Sequence, residues 1–227
     1  MLKEHIIFED DTVIVCRKPA GLATQTPVLD QSDLVSQLKN YRAESKQEPY
    51  IGLVHRLDQP VEGIMVFAKT KEAAAFLSKQ MAERDFVKEY YAVLEGKPEK
   101  EKDTLTHWLI RDGRTNTGKV VPPNTAEAKE AKLDYEVLEI IETGMGIRSL
   151  VKVHLHTGRH HQIRLQTAAI GCPIVGDRKY GNRQYKGYEP LSLCSCRINF
   201  VHPKTKERMD FTIQPQGKQF HQFSCQL

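Results

Sequence analysis

The chain begins with two short apolar segments on either side of a polar turn. Residues 6–8 are apolar, residues 9–11 are acidic, and residues 12–15 are rich in β-branched side chains. This pattern predicts a β-hairpin, because β-branched residues suit a pleated, half-buried strand. The Lys-Pro-Ala-Gly sequence at residues 18–21 then interrupts the pattern, because proline and glycine favour turns.

Hydrophobic spacing along the rest of the chain predicts more strands than helices. Apolar positions at helical spacing predict helices over residues 30–40, 71–84 and 161–170, with Thr70 as the cap of the second and Gly171 as the end of the third. Residues 43–50, 97–104 and 111–125 are polar and predict loops. The remaining apolar stretches predict strands over residues 63–68, 87–95, 105–110, 132–141, 149–156, 192–200 and 209–213.

These strands follow one another as hairpins, and they outnumber the helices about three to one. The pattern therefore predicts an α+β fold in which helices and loops flank a mostly antiparallel or mixed central sheet. No repeat, low-complexity tract or linker interrupts the chain. We therefore expect residues 1–227 to form a single domain.

The composition is that of an ordinary globular chain, with 40% hydrophobic and 27% charged residues. No apolar stretch is long enough to span a membrane, and the first residues lack the apolar core of a signal peptide. The five cysteines are odd in number and scattered, unlike a secreted disulfide framework. We expect a cytoplasmic protein that does not associate with membranes.

Positive charge is concentrated near the carboxyl terminus. Residues 151–227 contain 12 basic and 4 acidic side chains, whereas each of the segments 1–50 and 51–150 has two more acidic than basic residues. Such a surplus favours a polyanionic partner, because clustered cations release counterions from phosphates. A basic face that is merely solvated is an equally good interpretation of charge alone.

Several kinds of chemistry find no support in the sequence. It contains no Walker-type phosphate loop, no Gly-x-Gly-x-x-Gly after a strand and no Gly-x-Ser-x-Gly elbow. His154, His156, His160 and His161 are close together in sequence, but no partner carboxylate lies near them in the chain. We therefore expect neither a nucleotide cofactor nor a metal site.

Two polar clusters stand out against this background. Residues 55–63, His-Arg-Leu-Asp-Gln-Pro-Val-Glu-Gly, form an ionisable turn between apolar stretches. Residues 157–164, Thr-Gly-Arg-His-His-Gln-Ile-Arg, place four basic or imidazole groups at the start of a predicted helix, where the helix dipole favours an anion. The alternative is a turn in which Asp58 pairs with Arg56, and a basic helix start that faces water.

These clusters resemble motifs of the RluA-type family of RNA pseudouridine synthases. The family's His-Arg-Leu-Asp motif matches residues 55–58, and Gly63 follows it. Its Thr-Gly-Arg-x-His-Gln-Ile-Arg motif matches residues 157–164, and its Gly-Asp-x-x-Tyr-Gly motif matches residues 176–181. A Lys-x-Tyr-x-Ala strand at residues 88–92 and the Lys-Pro-Ala-Gly at residues 18–21 extend the similarity, which covers residues 6–213 in family order.

The resemblance implies isomerisation of uridine to pseudouridine in RNA without a cofactor or a metal. By position, Asp58 matches the catalytic aspartate, Tyr90 the tyrosine near the target base, and Arg164 the basic residue that pairs with the aspartate. A guanidinium beside Asp58 would lower the pKa of that carboxyl group and orient it. The residues expected to contact RNA are His55, Arg56, Arg159, His161, Gln162 and Ile163.

Some expectations remain open at this level. Val61 and Glu62 stand where many relatives have Thr-Ser, so target choice could differ. The family-like region begins near residue 6, so we expect no separate amino-terminal RNA-binding domain. Ribosomal and transfer RNA are both possible substrates, and a monomer is expected. The alternatives are a noncatalytic RNA-binding protein, such as an RNA folding helper, and a hydrolase that acts on nucleosides.

Overall fold

The structure is a computed structural model that describes residues 2–28, 31–181 and 189–225. Within these ranges it has three α-helices, eleven β-strands and two short 3-10 turns, Leu2–His5 and Phe220–Gln222. The helices are α1 (Leu34–Glu44), α2 (Lys71–Glu83) and α3 (Gln162–Ala169). The strands are β1 (Ile6–Glu9), β2 (Val13–Lys18), β3 (Gly52–Leu53), β4 (Glu62–Ala68), β5 (Val87–Glu95), β6 (Lys102–Asp112), β7 (Thr117–Val121), β8 (Lys129–Thr143), β9 (Gly146–Leu155), β10 (Leu193–Val201) and β11 (Arg208–Thr212).

The chain divides into two compact units, and neither is the simple first or second half of the sequence. The first unit comprises Met1–Lys88 and Ser195–Gln214, and the second comprises Glu89–Cys194 and Pro215–Leu227. The first unit is therefore completed by residues that follow most of the second unit in the chain. The expectation that residues 1–227 form a single catalytic domain stays a prediction.

The first unit is built on a sheet with the strand order β1-β2-β4-β10. Strands β1 and β2 pair antiparallel, as do β2 and β4, with Val13 opposite Ala68 and Lys18 opposite Gly63. Short β3 lies beside β4, and β11 pairs antiparallel with β10. All seven residues of β4 are buried, which makes it the central apolar strand of this unit.

Helices α1 and α2 begin where a polar side chain caps the backbone. The Asp33 carboxylate accepts a hydrogen bond from Ser36 N, and the Thr70 hydroxyl accepts one from Ala73 N. Helix α2 ends at Arg84, which adopts a left-handed conformation. Each helix then buries one side in the unit, through Leu34 and Leu38 for α1 and through Leu77 for α2.

The second unit is an antiparallel sheet with the order β5-β9-β8-β6-β7. Inward-facing residues of β5, β8 and β9, such as Ala92, Leu133 and Val153, are completely buried, while their polar neighbours face out. The side chain of Leu165 on α3 packs against Leu109 and Ala131 of the sheet in a small buried cluster. The sheet therefore provides the base on which α3 is placed.

The α+β class and the predominance of antiparallel pairing are confirmed, and the bounds predicted for β5 agree with the structure. All three loop predictions were wrong in part. Residues 102–104 and 111–112 belong to β6. Residues 117–121 form β7, in which Lys119 and Val120 are exposed and only Gly118 is buried, so the segment has no apolar periodicity. Helix α1 begins four residues later than predicted, after the Asp33 cap, and extends into the predicted loop 43–50.

No helix in the described part of the chain combines the length and apolar character needed to cross a bilayer.

Close packing at Gly63 supports a test of the first unit. Gly63 has φ +147°, and a Cβ atom there would lie 2.5 Å from the backbone nitrogen of Ser195 on β10. We expect Gly63→Ala to lower the free energy of unfolding in urea by about 2–4 kcal/mol, because the strands must separate or the backbone must strain. The control is Gly113→Ala, where no atom lies within 4 Å of the new methyl group. Equal stability of the two variants would contradict this packing.

Candidate active-site segments

The loop that carries Asp58 is fixed by hydrogen bonds from the segment that follows β2. The Thr24 hydroxyl donates to Leu57 O at 2.8 Å and accepts from Leu57 N at 3.2 Å. Gly21 N donates to Gln59 O at 2.9 Å, and the Gln59 side chain donates back to Gly21 O. Both neighbours of Asp58 are therefore held by main-chain contacts, and the carboxylate lies half-buried on a fixed loop.

Lys18 holds the same loop from inside the first unit. Its side chain is completely buried, and Nζ donates to the carbonyl oxygens of Pro19, Leu22 and Gln59 at 2.6–3.0 Å. Burial lowers the pKa of Lys18 to about 8, and the negative charges of Asp58 and Glu62 oppose that shift. The geometry thus places a buried cation close enough to Asp58 to act on it electrostatically.

The two residues before Leu57 have different environments. His55 is buried, and its Nε2 accepts a hydrogen bond from Val66 N at 3.2 Å. Burial and the nearby charge of Lys88 lower the pKa of His55 to about 3, so the ring is neutral and supports β4. Arg56 is exposed and donates to the Gln25 side chain. The predicted RNA contacts of both residues stay predictions, and Arg56 is the one with an accessible cation.

The segment before α3 is organised by Gln162. Its side-chain oxygen accepts from the Thr157 hydroxyl at 2.7 Å and from Arg159 N at 3.0 Å, while its amide donates to Lys132 O and the Gln166 side chain. Gln162 and Ile163 are buried, so they serve the packing of this turn. Arg159 is exposed, and its Nε donates to Glu130 O. Contact of these three residues with RNA stays a prediction.

Arg164 is held by a buried ion pair with Asp177. The guanidinium donates from Nε to Oδ2 at 2.7 Å and from a terminal nitrogen to Oδ1 at 2.8 Å. The side chains of both residues are at least 95% buried. Asp177 Oδ1 also accepts from the backbone nitrogens of Lys179 and Tyr180. This two-pronged contact fixes the plane of the guanidinium and therefore the directions of its other N–H donors.

His161 and Tyr90 complete the predicted residues of the second unit. His161 is buried at the start of α3, and burial together with nearby cations lowers its pKa to about 2. A neutral ring cannot hold phosphate by charge, so its predicted contact would be a hydrogen bond. Tyr90 lies on β5 with its side chain largely buried, opposite Val153 of β9. The catalytic roles of Tyr90 and Arg164, and the pairing of Arg164 with Asp58, stay predictions.

Two expectations about charge need correction. His156 has a partner carboxylate, because its Nε2 lies 2.6 Å from Asp134 Oδ2 on the neighbouring strand β8, a contact that sequence distance concealed. The basic surplus of the last third is also offset in part within each unit. Arg197 pairs with Asp210 and Arg208 with Asp85 in the first unit, and Lys152 pairs with Glu89 in the second.

Sequence reasoning did not assign roles to three residues that organise these segments. They are Lys18, Asp177 and Tyr180, each of which lies in a short motif that was noted only as a resemblance. The partners of Lys18 include Gln59, 41 residues away, and the Tyr180 hydroxyl contacts Gly118, 62 residues away. Only an unusual combination, a lysine directly before proline at a strand end or an aspartate after glycine, could have drawn attention to them.

The Arg164–Asp177 pair has a measurable energetic consequence. We expect Asp177→Ala to lower the free energy of unfolding by about 3–5 kcal/mol, because a buried guanidinium then loses its counter-charge. The matched control is Asp210→Ala, which breaks the exposed pair with Arg197 and should cost about 0–1 kcal/mol. Urea denaturation measures both values, and similar losses in the two variants would contradict the burial of the Asp177 pair.

Comparison with known proteins places these segments in a family. Residues 12–169 match the family described as RNA pseudouridylate synthase. A ribosomal large subunit pseudouridine synthase C of Rickettsia conorii is 34% identical over 82% of this chain and 59% of its own length. An uncharacterised RNA pseudouridine synthase of Bacillus subtilis is 34% identical over 89% of this chain and 65% of its own length. The chain thus spans about three fifths of the length of these curated relatives.

Solved structures agree with the fold. The human RNA pseudouridylate synthase domain containing 4 protein aligns with a TM-score of 0.78 and 24% identity, covering 95% of this chain and 90% of its own. The human domain containing 1 protein aligns with a TM-score of 0.77, again at 24% identity, over 93% of this chain and 83% of its own. These two likenesses concern the fold, and the sequence matches settle membership: the chain belongs to the RNA pseudouridylate synthase family.

Proposed function

We propose that this chain is an RNA pseudouridine synthase that isomerises selected uridines and needs neither a metal nor a nucleotide cofactor. The observation that carries the proposal is Asp58, which occupies the aspartate position of the family motif on a loop fixed from both sides. A carboxylate on a fixed loop can be aimed at one reacting atom, which is the main requirement for chemistry at a sugar carbon.

The proposed reaction starts with a uridine that has left its base stack. The Asp58 carboxylate acts at the ribose while the bond between the sugar C1′ and uracil N1 breaks, and the uracil remains bound. After the base rotates, C1′ bonds to C5, Tyr90 removes the proton from C5, and N1 gains a proton. No water is consumed, so a second carboxylate that activates water, as glycoside hydrolases use, is not required.

Arg164 and Lys18 have electrostatic parts in this proposal. Asp177 fixes the guanidinium of Arg164, which is then oriented before any substrate arrives. Lys18 is a buried cation that interacts electrostatically with Asp58 and Glu62, so it places a positive charge beside the loop that carries Asp58. Both groups hold their positions through several hydrogen bonds, so little reorganisation accompanies the reaction.

The substrate class is RNA, and the relatives' names favour ribosomal RNA of the large subunit over transfer RNA. Exposed cations on which phosphates could rest include Arg56 of the first unit and Arg111, Arg114, Lys132 and Arg159 of the second. A monomer in the cytoplasm is the state in which we expect the protein to act.

Replacement of the proposed catalytic carboxylate is the direct test. We expect Asp58→Asn to lower pseudouridine formation in a large-subunit rRNA transcript by at least about 10³-fold, because the amide can neither attack nor stabilise the electron-deficient sugar. Mass spectrometry of the digested nucleosides measures the product, and no metal or nucleotide is added. The control is Asp11→Asn, an exposed carboxylate of the first unit.

The outcomes separate the alternatives. Full activity of Asp58→Asn would contradict the assignment of Asp58. Release of uracil would identify a nucleoside hydrolase. RNA binding by the unaltered chain without isomerisation of ribosomal or transfer RNA would identify a noncatalytic RNA-binding protein.

Salt dependence tests the RNA surface. If about five cations contact phosphates, affinity for RNA should fall about 10²–10³-fold between 50 and 200 mM salt. We expect Arg159→Gln to reduce the slope of log affinity against log salt by about 1. Filter binding over a salt series measures this slope. Lys79→Gln on the exposed face of α2 is the control and should leave the slope unchanged. An unchanged slope for Arg159→Gln would remove this residue from the RNA surface.

A further inference from the structure

His161 begins α3 in an unusual conformation. Its φ is +52°, in the left-handed region that residues other than glycine rarely adopt. Its side chain makes no capping hydrogen bond to the helix. The ring is buried, stacks on His160 with 3.7 Å between ring centroids, and meets the edge of Tyr180. Strain at one residue of a polar cluster persists only where its surroundings impose it.

The Tyr180 hydroxyl is one of the groups that hold His161 in this conformation. It accepts a hydrogen bond from Gly118 N at 2.8 Å, and it lies 2.7 Å from His161 Nδ1. Gly118 belongs to β7, and a Cβ atom there would lie 2.8 Å from Leu165 Cδ1. The bare backbone of Gly118 therefore lets the strand reach the tyrosine while α3 packs against it.

The hydrogen bonds of the Tyr180 hydroxyl favour one form of the His161 ring. The phenol oxygen accepts from Gly118 N–H through one lone pair, and its own proton can be donated to His161 Nδ1, which lies 2.7 Å away. We assign the hydroxyl as the donor in this contact. Nδ1 is then an acceptor and has no proton. A neutral imidazole with an accepting Nδ1 must have its proton on Nε2.

We propose that Tyr180 is a positioning residue that locks His161 as a neutral imidazole with its proton on Nε2. In terms of the proposed function, on which this part rests, His161 supplies a fixed hydrogen-bond donor to an oxygen acceptor during RNA modification. It acts neither as a phosphate-binding cation nor as an acid or base that transfers protons.

The charges around the ring support this assignment. Arg164 of α3, Arg111 of β6, Lys179 of the turn before Tyr180, and His160 all disfavour a second proton, and burial disfavours it most. These groups hold the pKa of His161 far below neutrality. The donor is therefore present throughout the pH range in which enzymes of this kind are assayed, and it does not titrate there.

Tyr180→Phe separates the effect of the hydroxyl group from the effect of the aromatic ring. The Tyr180 ring also lies beneath the Arg164 guanidinium, 5.2 Å from the centroid to Cζ. Tyr180→Phe keeps an aromatic face beneath the guanidinium but removes the group that orients His161. An effect of this variant therefore reports the loss of the hydroxyl that orients His161, because the ring that packs beside α3 is kept.

The first measurement needs no activity. Two-bond ¹⁵N–¹H correlation spectra of protein labelled with ¹⁵N-histidine report which nitrogen carries the proton, and the His161→Gln variant assigns the signal among the nine histidines. We expect the unaltered protein to show only the Nε2–H form of His161 from pH 6 to pH 8. Tyr180→Phe should show exchange between the two neutral tautomers.

The second measurement is kinetic. We expect Tyr180→Phe to lower kcat about tenfold with little change in KM, because it removes the hydrogen bond that orients His161 together with the acceptor of Gly118 N, and the proposal gives the hydroxyl no part in binding substrate. The matched control is Tyr41→Phe, which loses the hydroxyl bond to Glu9 in the first unit and should leave both constants unchanged.

The results decide between clear outcomes. A proton on Nδ1, or a doubly protonated ring at pH 6 in the unaltered protein, would overturn the proposal even if the variant fails to fold. Unchanged kcat in a folded Tyr180→Phe variant would also overturn it. Failure of the proposed function appears separately, as absent isomerisation by the unaltered protein, and leaves the spectroscopic result standing.

Discussion

One buried ammonium group, Nζ of Lys18, constrains the loop that positions Asp58 from inside the first unit. A lysine taken out of water costs several kcal/mol unless its protons find acceptors and its charge finds a counterpart. Three backbone carbonyl oxygens accept hydrogen bonds from Lys18 Nζ, and Asp58 and Glu62 supply the negative charge. Because one of these carbonyls belongs to Gln59, the residue next to Asp58, the requirement of the lysine is also a constraint on the loop.

The second unit also buries a charged group that needs partners, but here the group is an anion. There the buried anion is Asp177, and it is satisfied by Arg164 and by two backbone N–H groups. In both units a buried charge is surrounded by groups fixed in the main chain. Groups held in this way keep their directions when a substrate arrives, which is how a protein stabilises developing charge at small cost.

Local patterns in the sequence were sufficient for most of the fold. Strand β5 could be predicted from its valine and tyrosine residues, and helix α2 from its Thr70 cap, because both signals act within a few residues. Strand β7 could not, because Thr-Gly-Lys-Val-Val at an exposed sheet edge has no apolar face of its own. The candidate residues were found through motif resemblance. Their partners depend on contacts between distant parts of the chain, such as Tyr180 with Gly118, which no periodicity reveals.

The discontinuous first unit affects how the chain is made on the ribosome. Strand β4 neighbours β10 in this unit, and Gly63 packs directly on Ser195. Synthesis must therefore continue through the whole insertion, residues 89–194, before β10 exists. At a synthesis rate of roughly 5–20 residues per second, about 5–20 s pass before β10 can pair with β4. During that interval β4 has its partners β2 and β3 but lacks β10, so part of one edge is open. An open edge of this kind recruits other chains, so we expect correct assembly to depend on shielding it until β10 emerges.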